Sequence, residues 1–324
     1  RIIELVIMPA ESLISPRASA IIKQNAADWK VFEELGKSHS EQIRKAESGE
    51  HLYLFIEKIG LNTMDVVDFL ANYYRVERSE VGYCGRKDKK AITRQWFSVP
   101  VKQSITESLE ISTGIRVLDA GRFKKKLRIG EHAYNRFELI LREADFVDLD
   151  FLAKEPGFFY NFYGSQRYND TSLSRAMDWI RNRRSRKVSR VVRSWNLSML
   201  RSFLFNKILE KRKDAGFVEG VVEGDSCLDS IPTAPLWGRG RSETRGDALE
   251  FENEALAPYQ DICEALEYSG VQQTRRVIFQ RPFSFSASHD PNNSTINAMF
   301  CLPVGAYATV FLGNYFQVID ASAK

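Results

Sequence analysis

Hydrophobic and polar residues alternate along some stretches of this chain and recur every three or four positions along others, and the two periods separate strands from helices. Residues 52–56, Leu-Tyr-Leu-Phe-Ile, are rich in β-formers and predict a buried strand. Asn62-Thr63-Met64-Asp65 reads as a helix start. Val66, Phe69, Leu70 and Tyr73 follow at i, i+3, i+4 and i+7, which predicts one apolar helix face. Between residues 136 and 141, Phe137, Leu139 and Leu141 alternate with Arg136, Glu138 and Ile140, and a strand is predicted.

The pattern changes after Pro156-Gly157. Residues 172–213 have a helical period, with Leu197, Leu200, Leu204 and Ile208 along one face. A loop rich in Gly and Pro is expected over 231–246, then an acidic, helix-favouring stretch over 247–268. β-like patterns return at 277–279 and 296–302. Pro303 and Gly305 then mark a turn before the apolar segment 306–312. The order is mixed, helical, mixed. It predicts an α+β protein whose β-containing domain (1–157 and 272–324) is interrupted by a mostly helical insertion (158–271). Two sequential domains are the alternative. No internal repeat or low-complexity tract is present.

Composition narrows the classes. The 324 residues are 44% hydrophobic and 27% charged, enough for a substantial core. Cys84, Cys227, Cys263 and Cys301 are far apart and form no CxxC or Cys/His cluster, so neither zinc nor a disulfide framework is expected, and a cytoplasmic protein with reduced thiols is. No apolar run approaches the roughly 20 residues of a membrane span. The apolar opening, residues 1–8, is interrupted by Glu4 and is too short for a signal-peptide core. It begins without Met, which is consistent with a processed end. His39, His51, His132 and His289 show no metal or triad spacing, and Gly238-Arg239-Gly240-Arg241 is neither a phosphate loop nor a dinucleotide fingerprint. No metal and no nucleotide cofactor are expected.

Charge adds a partner. The net charge is only +4, but basic residues gather at 122–128, at 181–187 with Arg190 and Arg193 beyond, and at Arg275-Arg276 with Arg281. One such run is commonly a solvated face. Several, in a chain of otherwise balanced charge, suggest a groove that follows a phosphate backbone. Lys124, Lys125, Lys126, Arg183, Arg184 and Arg186 are the expected contacts with that nucleic-acid backbone.

One carboxylate stands inside the run Gly85-Arg86-Lys87-Asp88-Lys89-Lys90-Ala91-Ile92-Thr93-Arg94-Gln95. Cations on both sides favour the charged form of Asp88, which suits a nucleophile or a base facing phosphates. A structural ion pair explains the same residues equally well.

Gly-x-Lys-Asp followed by Ala-Ile-Thr-Arg-Gln closely resembles the signature of the TruD family of tRNA pseudouridine synthases. Four more segments are similar to that family in the same order. They are Ile22-Lys23 with Phe32-Glu33-Glu34-Leu35, then residues 124–130 with Asn135-Arg136-Phe137, then Asn161-Phe162-Tyr163-Gly164-Ser165-Gln166-Arg167-Tyr168, and lastly Leu302-Pro303-Val304-Gly305-Ala306-Tyr307-Ala308-Thr309. The departures are small: Tyr168 stands for Phe, Asn169 for Gly, and Ala306 for Ser.

The resemblance implies a pseudouridine-synthase catalytic domain on a mixed, largely antiparallel sheet, interrupted by a helical insertion of the TruD type. It implies isomerisation of a uridine in tRNA, at position 13, without a cofactor, since no electrons or groups are exchanged. Asp88 would be the essential carboxylate, with Lys23 as its positive neighbour. Phe137 would stack on the flipped uracil, and Asn135 would orient the loop or the substrate. Lys87 and Arg86 would face phosphate, and Gln95 and Arg167 would lie on the substrate-binding side. The protein would act in the cytoplasm as a monomer. A non-catalytic RNA-binding protein or chaperone would share the basic groove without needing Asp88. A hydrolase would need a second carboxylate or a metal cluster near Asp88, and the sequence shows neither.

Overall fold

The computed structural model describes residues 18–45, 48–101, 109–144, 156–182, 187–216 and 220–323. They divide into two compact units. One comprises the described residues of 16–156, 282–308 and 315–324, the other those of 157–281 and 309–314.

In chain order the first unit contains β1 (Ser19–Ile22), β2 (Trp29–Glu34), α1 (Lys37–Lys45), β3 (His51–Ile59), α2 (Thr63–Tyr74), β4 (Gly82–Tyr83), β5 (Ile92–Val99), β6 (Leu109–Ser112), β7 (Ile115–Phe123) and β8 (Tyr134–Arg142). The second contributes β9 (Phe159–Tyr160), α3 (Asp170–Arg181), α4 (Arg190–Asp214), β10 (Cys227–Leu228), β11 (Ile231–Leu236), α5 (Gly246–Leu256), α6 (Gln260–Glu267), β12 (Thr274–Val277) and β13 (Phe279–Gln280). The chain returns to the first sheet with β14 (Phe283–Asp290) and β15 (Thr295–Pro303). After α7 (Ala308–Leu312) it ends on β16 (Gln317–Asp320).

The strands of the first unit form one sheet in the order β14-β15-β8-β2-β5-β3-β7-β6. β1 joins β8 antiparallel and β16 parallel, and β4 joins β5. Along the main path only β2 and β5 run parallel, so the sheet is mixed and largely antiparallel. β8 holds the alternation expected of it, with Phe137, Leu139 and Leu141 all buried.

Helix α2 starts where its sequence predicts. The Asn62 amide donates to the Asp65 carboxylate at 2.7 Å, which satisfies one of the unpaired amides at the helix entry. Its buried face is Thr63, Val66, Val67, Leu70 and Ala71, so Val66 and Leu70 are buried as expected, while Phe69 is only partly buried and Tyr73 is exposed. Smaller side chains approach Leu52, Leu54, Ile56 and Phe97 of the sheet. The two rings stack on each other at the margin, with centroids 5.7 Å apart, and leave Tyr73 exposed.

In the second unit Leu197, Leu200, Leu204 and Ile208 of α4 are buried among Trp179 and Ile180 of α3, Leu256 of α5 and Ile262 and Leu266 of α6. The expected loop over 231–246 is a strand at its start: β11 lies between β10 and β12 despite Pro232 and Pro235. β10 is only two residues long, so the missing N–H of Pro235 falls where β11 has no neighbour on that side.

Candidate active site

The register of four neighbouring pairings places Phe300, Phe137, Val31, Thr93 and Lys58 in one row across five strands. Two positions along, Glu33 lies opposite Asn135 on the same side. The loop between β4 and β5, which bears Asp88, is fastened over this side by polar contacts. Gln95 donates to the Gly85 carbonyl at 3.1 Å, and Thr63 donates to Gln95 and accepts from the Lys87 amide, each at 2.9 Å. Lys58 donates to the carbonyls of Leu61 at 2.7 Å, Asp88 at 2.8 Å and, more distantly, Lys87 at 3.5 Å.

Asp88 meets its expected partner. Lys23 Nζ is 3.0 Å from Asp88 Oδ2, with the lysine side chain 2% exposed and the aspartate 40% exposed. The ammonium therefore lies beneath the carboxylate and leaves it open to solvent. Lys23 follows β1 in the left-handed region, φ 56°, a conformation that costs energy in a residue with a side chain. Its ammonium also sits 4.8 Å from the Trp29 ring centroid.

A second carboxylate, absent from the sequence reading, shares Lys23. Asp320 Oδ2 is 3.3 Å from the same Nζ, because parallel pairing of β1 with β16 sets Ile22 opposite Asp320. Burial alone would raise the Asp320 pKa, but hydrogen bonds from Ser322, together with the charge of Lys23, hold it below its ordinary value. No local motif marks Asp320. Only the strand pairing does.

Beneath the loop lies a more deeply buried polar group. Lys87 Nζ is 3.1 Å from Glu33 Oε2 and donates to Asn135 Oδ1 at 2.5 Å. Asn135 Nδ2 is 3.2 Å from His132 Nε2. Glu33 is fully buried, and burial raises its pKa while Lys87 opposes the rise. His132 is pushed down to about 4 by burial and by Lys87, so it is neutral at pH 7. Glu33, Cys84 and His132 offer ligand atoms within 4.8 Å of one another, a Cys/His grouping the linear sequence does not show. The ammonium of Lys87 already balances Glu33 there and opposes a second cation.

Several sequence expectations change here. Lys87 turns inward to Glu33 and Asn135 rather than outward to phosphate, because a fully buried carboxylate needs a counter-charge. Asn135 orients the loop through Lys87. Gln95 is fully buried and holds the loop, leaving it no surface for substrate. The Phe137 ring is buried, stacked on Phe300 at 5.3 Å and edge-on to Trp29 at 6.3 Å, so its packing is that of a core residue. Arg86, Lys124 and Lys125 are exposed, while Lys126 donates to the Ser79 carbonyl. Arg183, Arg184 and Arg186 lie outside the described residues. Arg167 belongs to the second unit, where it donates to Ser202 at 3.2 Å and to Ser198, with its guanidinium 5.1 Å from the Trp195 ring centroid. Those contacts make it a fastening of α4.

Comparison with known proteins agrees with this architecture. A solved structure from Methanosarcina mazei, provisionally described as a tRNA pseudouridine synthase D, superposes with a TM-score of 0.64, covering 98% of this chain and 97% of its own at 18% identity. The fold is thus that of the pseudouridine synthases, a class of RNA isomerases. The family model for tRNA pseudouridine synthase D (TruD) matches residues 12–175. The tRNA pseudouridine synthase D of Aeromonas hydrophila subsp. hydrophila is 32% identical over 95% of this chain and 93% of its own length. That of Cellvibrio japonicus is 35% identical over 93% and 92%. The chain belongs to the tRNA pseudouridine synthase D (TruD) family. Among its described residues no helix is long and apolar enough to cross a membrane.

Proposed function

We propose that this protein isomerises uridine 13 of tRNA to pseudouridine, with Asp88 as the essential carboxylate. The observation that supports this most directly is the disposition of one ion pair: an exposed carboxylate above a buried ammonium, Asp88 over Lys23. A carboxylate paired from below and open above is placed to meet a substrate.

The reaction breaks the N1–C1′ bond, turns the detached uracil and joins C5 to C1′. The proton leaving C5 is balanced by one gained at N1. Asp88 acts at the sugar, as nucleophile on C1′ or as base removing a sugar proton, and both roles need it ionised. The uracil must leave its stack to reach the side chain. Exposed Arg86, Lys124 and Lys125 suit contacts with phosphate. The helical unit of residues 157–281 is the family's insertion. All four cysteines are free, as suits the reducing cytoplasm.

Tritium release from tRNA containing 5-tritiated uridine tests the proposal. The wild type should release label, and Asp88→Asn should lose on the order of 1000-fold in rate, about 4 kcal/mol of barrier, with tRNA binding retained. Full turnover by Asp88→Asn would overturn the assignment. A tRNA altered only at uridine 13 should release none.

A further inference from the structure

Lys58 is among the largest fully buried side chains of the protein, at 0% exposure. A buried ammonium ordinarily finds a carboxylate. Among the described residues Lys58 has none at ion-pair distance. Its partners are three main-chain carbonyls, one from the turn between β3 and α2 (Leu61) and two from the loop between β4 and β5 (Lys87 and Asp88). Keeping a cation dry with only carbonyl partners is costly, and an apolar residue would fill the same place in β3 more cheaply. What the cation provides is charge-assisted bonds to the main chain, one of them to Asp88 itself and one to its neighbour Lys87.

We propose that Lys58 is a positioning residue for the reaction: its ammonium fixes the main chain at Lys87 and Asp88 from inside the sheet, and so sets where the Asp88 carboxylate stands. This rests on the reading of Asp88 as the reacting group. Lys23 holds the side chain of Asp88 and Lys58 holds its backbone, so the carboxylate is fixed from two directions. The row of the sheet that presents Lys58 also aligns it with Thr93 on β5 and Ile115 on β7, neither of which is charged. The charged groups that act on it are Asp88 and Lys87 on the loop and Asp65 on α2. Burial, opposed by Asp88, brings Lys58 down to about 8. It therefore loses its charge, and one of its three donated bonds, within an accessible pH range.

The test is single-turnover tritium release by the full-length protein, run beside tRNA binding and thermal unfolding. Lys58→Met should fold and bind tRNA within about threefold of wild type, yet react about 100-fold more slowly, the scale of a small misplacement of a reacting group. The wild-type rate should also fall as pH rises through about 8 with tRNA still bound, and that fall should be absent from Lys58→Met. A Lys58→Met rate within about threefold of wild type, or an alkaline fall unchanged in the variant, would overturn the proposal. If Lys58→Met does not fold, the wild-type profile decides: a rate for bound tRNA that stays level from pH 7 to above 9 defeats it. Asp88→Asn separates the two readings. Turnover in Asp88→Asn removes the reading of the site itself, whereas an inactive Asp88→Asn with an unimpaired Lys58→Met removes only the role of Lys58.

Discussion

Both units enclose ion pairs, Lys87 with Glu33 in the sheet unit among them, but they differ in what else they do with charge. In the helical unit Arg212 and Asp225, 1% and 0% exposed, meet through two parallel bonds of 2.7 Å, and the Val222 amide donates to the same carboxylate. Arg275 and Glu252 are nearly as enclosed, and Thr233 and Thr244 add hydrogen bonds to them. Arg212 and Arg275 each answer one carboxylate inside the fold. In the sheet unit Lys23 divides one ammonium between Asp88 and Asp320, both partly exposed. Lys58 answers no carboxylate among the described residues. Closed pairs specify a fold and leave no charge facing outward. Open sets leave a charged group facing outward, where it can meet a substrate.

The largest effect expected from breaking this contrast is on the closed side. Asp225→Asn strands Arg212 without a counter-charge and should lower the unfolding free energy by about 3–5 kcal/mol in urea titration, with the rate per folded molecule unchanged. A slower rate at unchanged stability would erase the distinction.

Lys23→Met comes next. The rate at pH 7 should drop about 100-fold, ~2.7 kcal/mol of barrier, while tRNA binding persists. Without the ammonium, Asp320 loses one of the groups that hold its pKa down, so its titration, followed by NMR, should move to higher pH. A titration that stays in place would show that Lys23 does not act on Asp320.

Asp320→Asn is the mildest, a loss of about tenfold or less, since Asp88 keeps Lys23 to itself. The Asp320 pKa is held below the ordinary 3.8, so its contribution to stability is complete above that value and disappears as pH falls through the lowered one. Acid unfolding of Asp320→Asn should therefore lack that part of the decline, and an acid transition identical to wild type would show that Asp320 adds nothing.

Much of the sheet and part of the site were legible in the linear chain. Alternation marked β8, the cap at Asn62 marked α2, and the runs around Lys23 and Asp88 resembled one family. These are local signals, set by side-chain period, capping chemistry and contiguous motifs. The residues that went astray share a different property. Phe69 and Tyr73 had the right spacing, but the sheet beneath selected the smaller face of α2. Lys87 and Gln95 lie in the same motif as Asp88 and were grouped with it, yet their side chains point inward to groups on β2, β8 and α2. Pro232 and Pro235 argued for a loop, yet the segment is a strand in which Pro235 lies beyond the end of the short neighbour β10.

By itself, then, the sequence determined the fold class and the family, and it singled out the carboxylate at position 88 as the candidate. Each is written in periodicities or contiguous motifs that survive without knowledge of distant neighbours. Only the tertiary structure decided which charges share a site. Lys23 and Asp320 are 297 positions apart, and the parallel pairing of β1 with β16 brings them together. Lys58 reaches Asp88 because one register of β3 against β5 aims it beneath the loop, and a shift of one residue would turn it to the other face. Burial and strand register are properties of the assembled sheet, and they convert an aspartate in a basic run into a carboxylate held from below and open above.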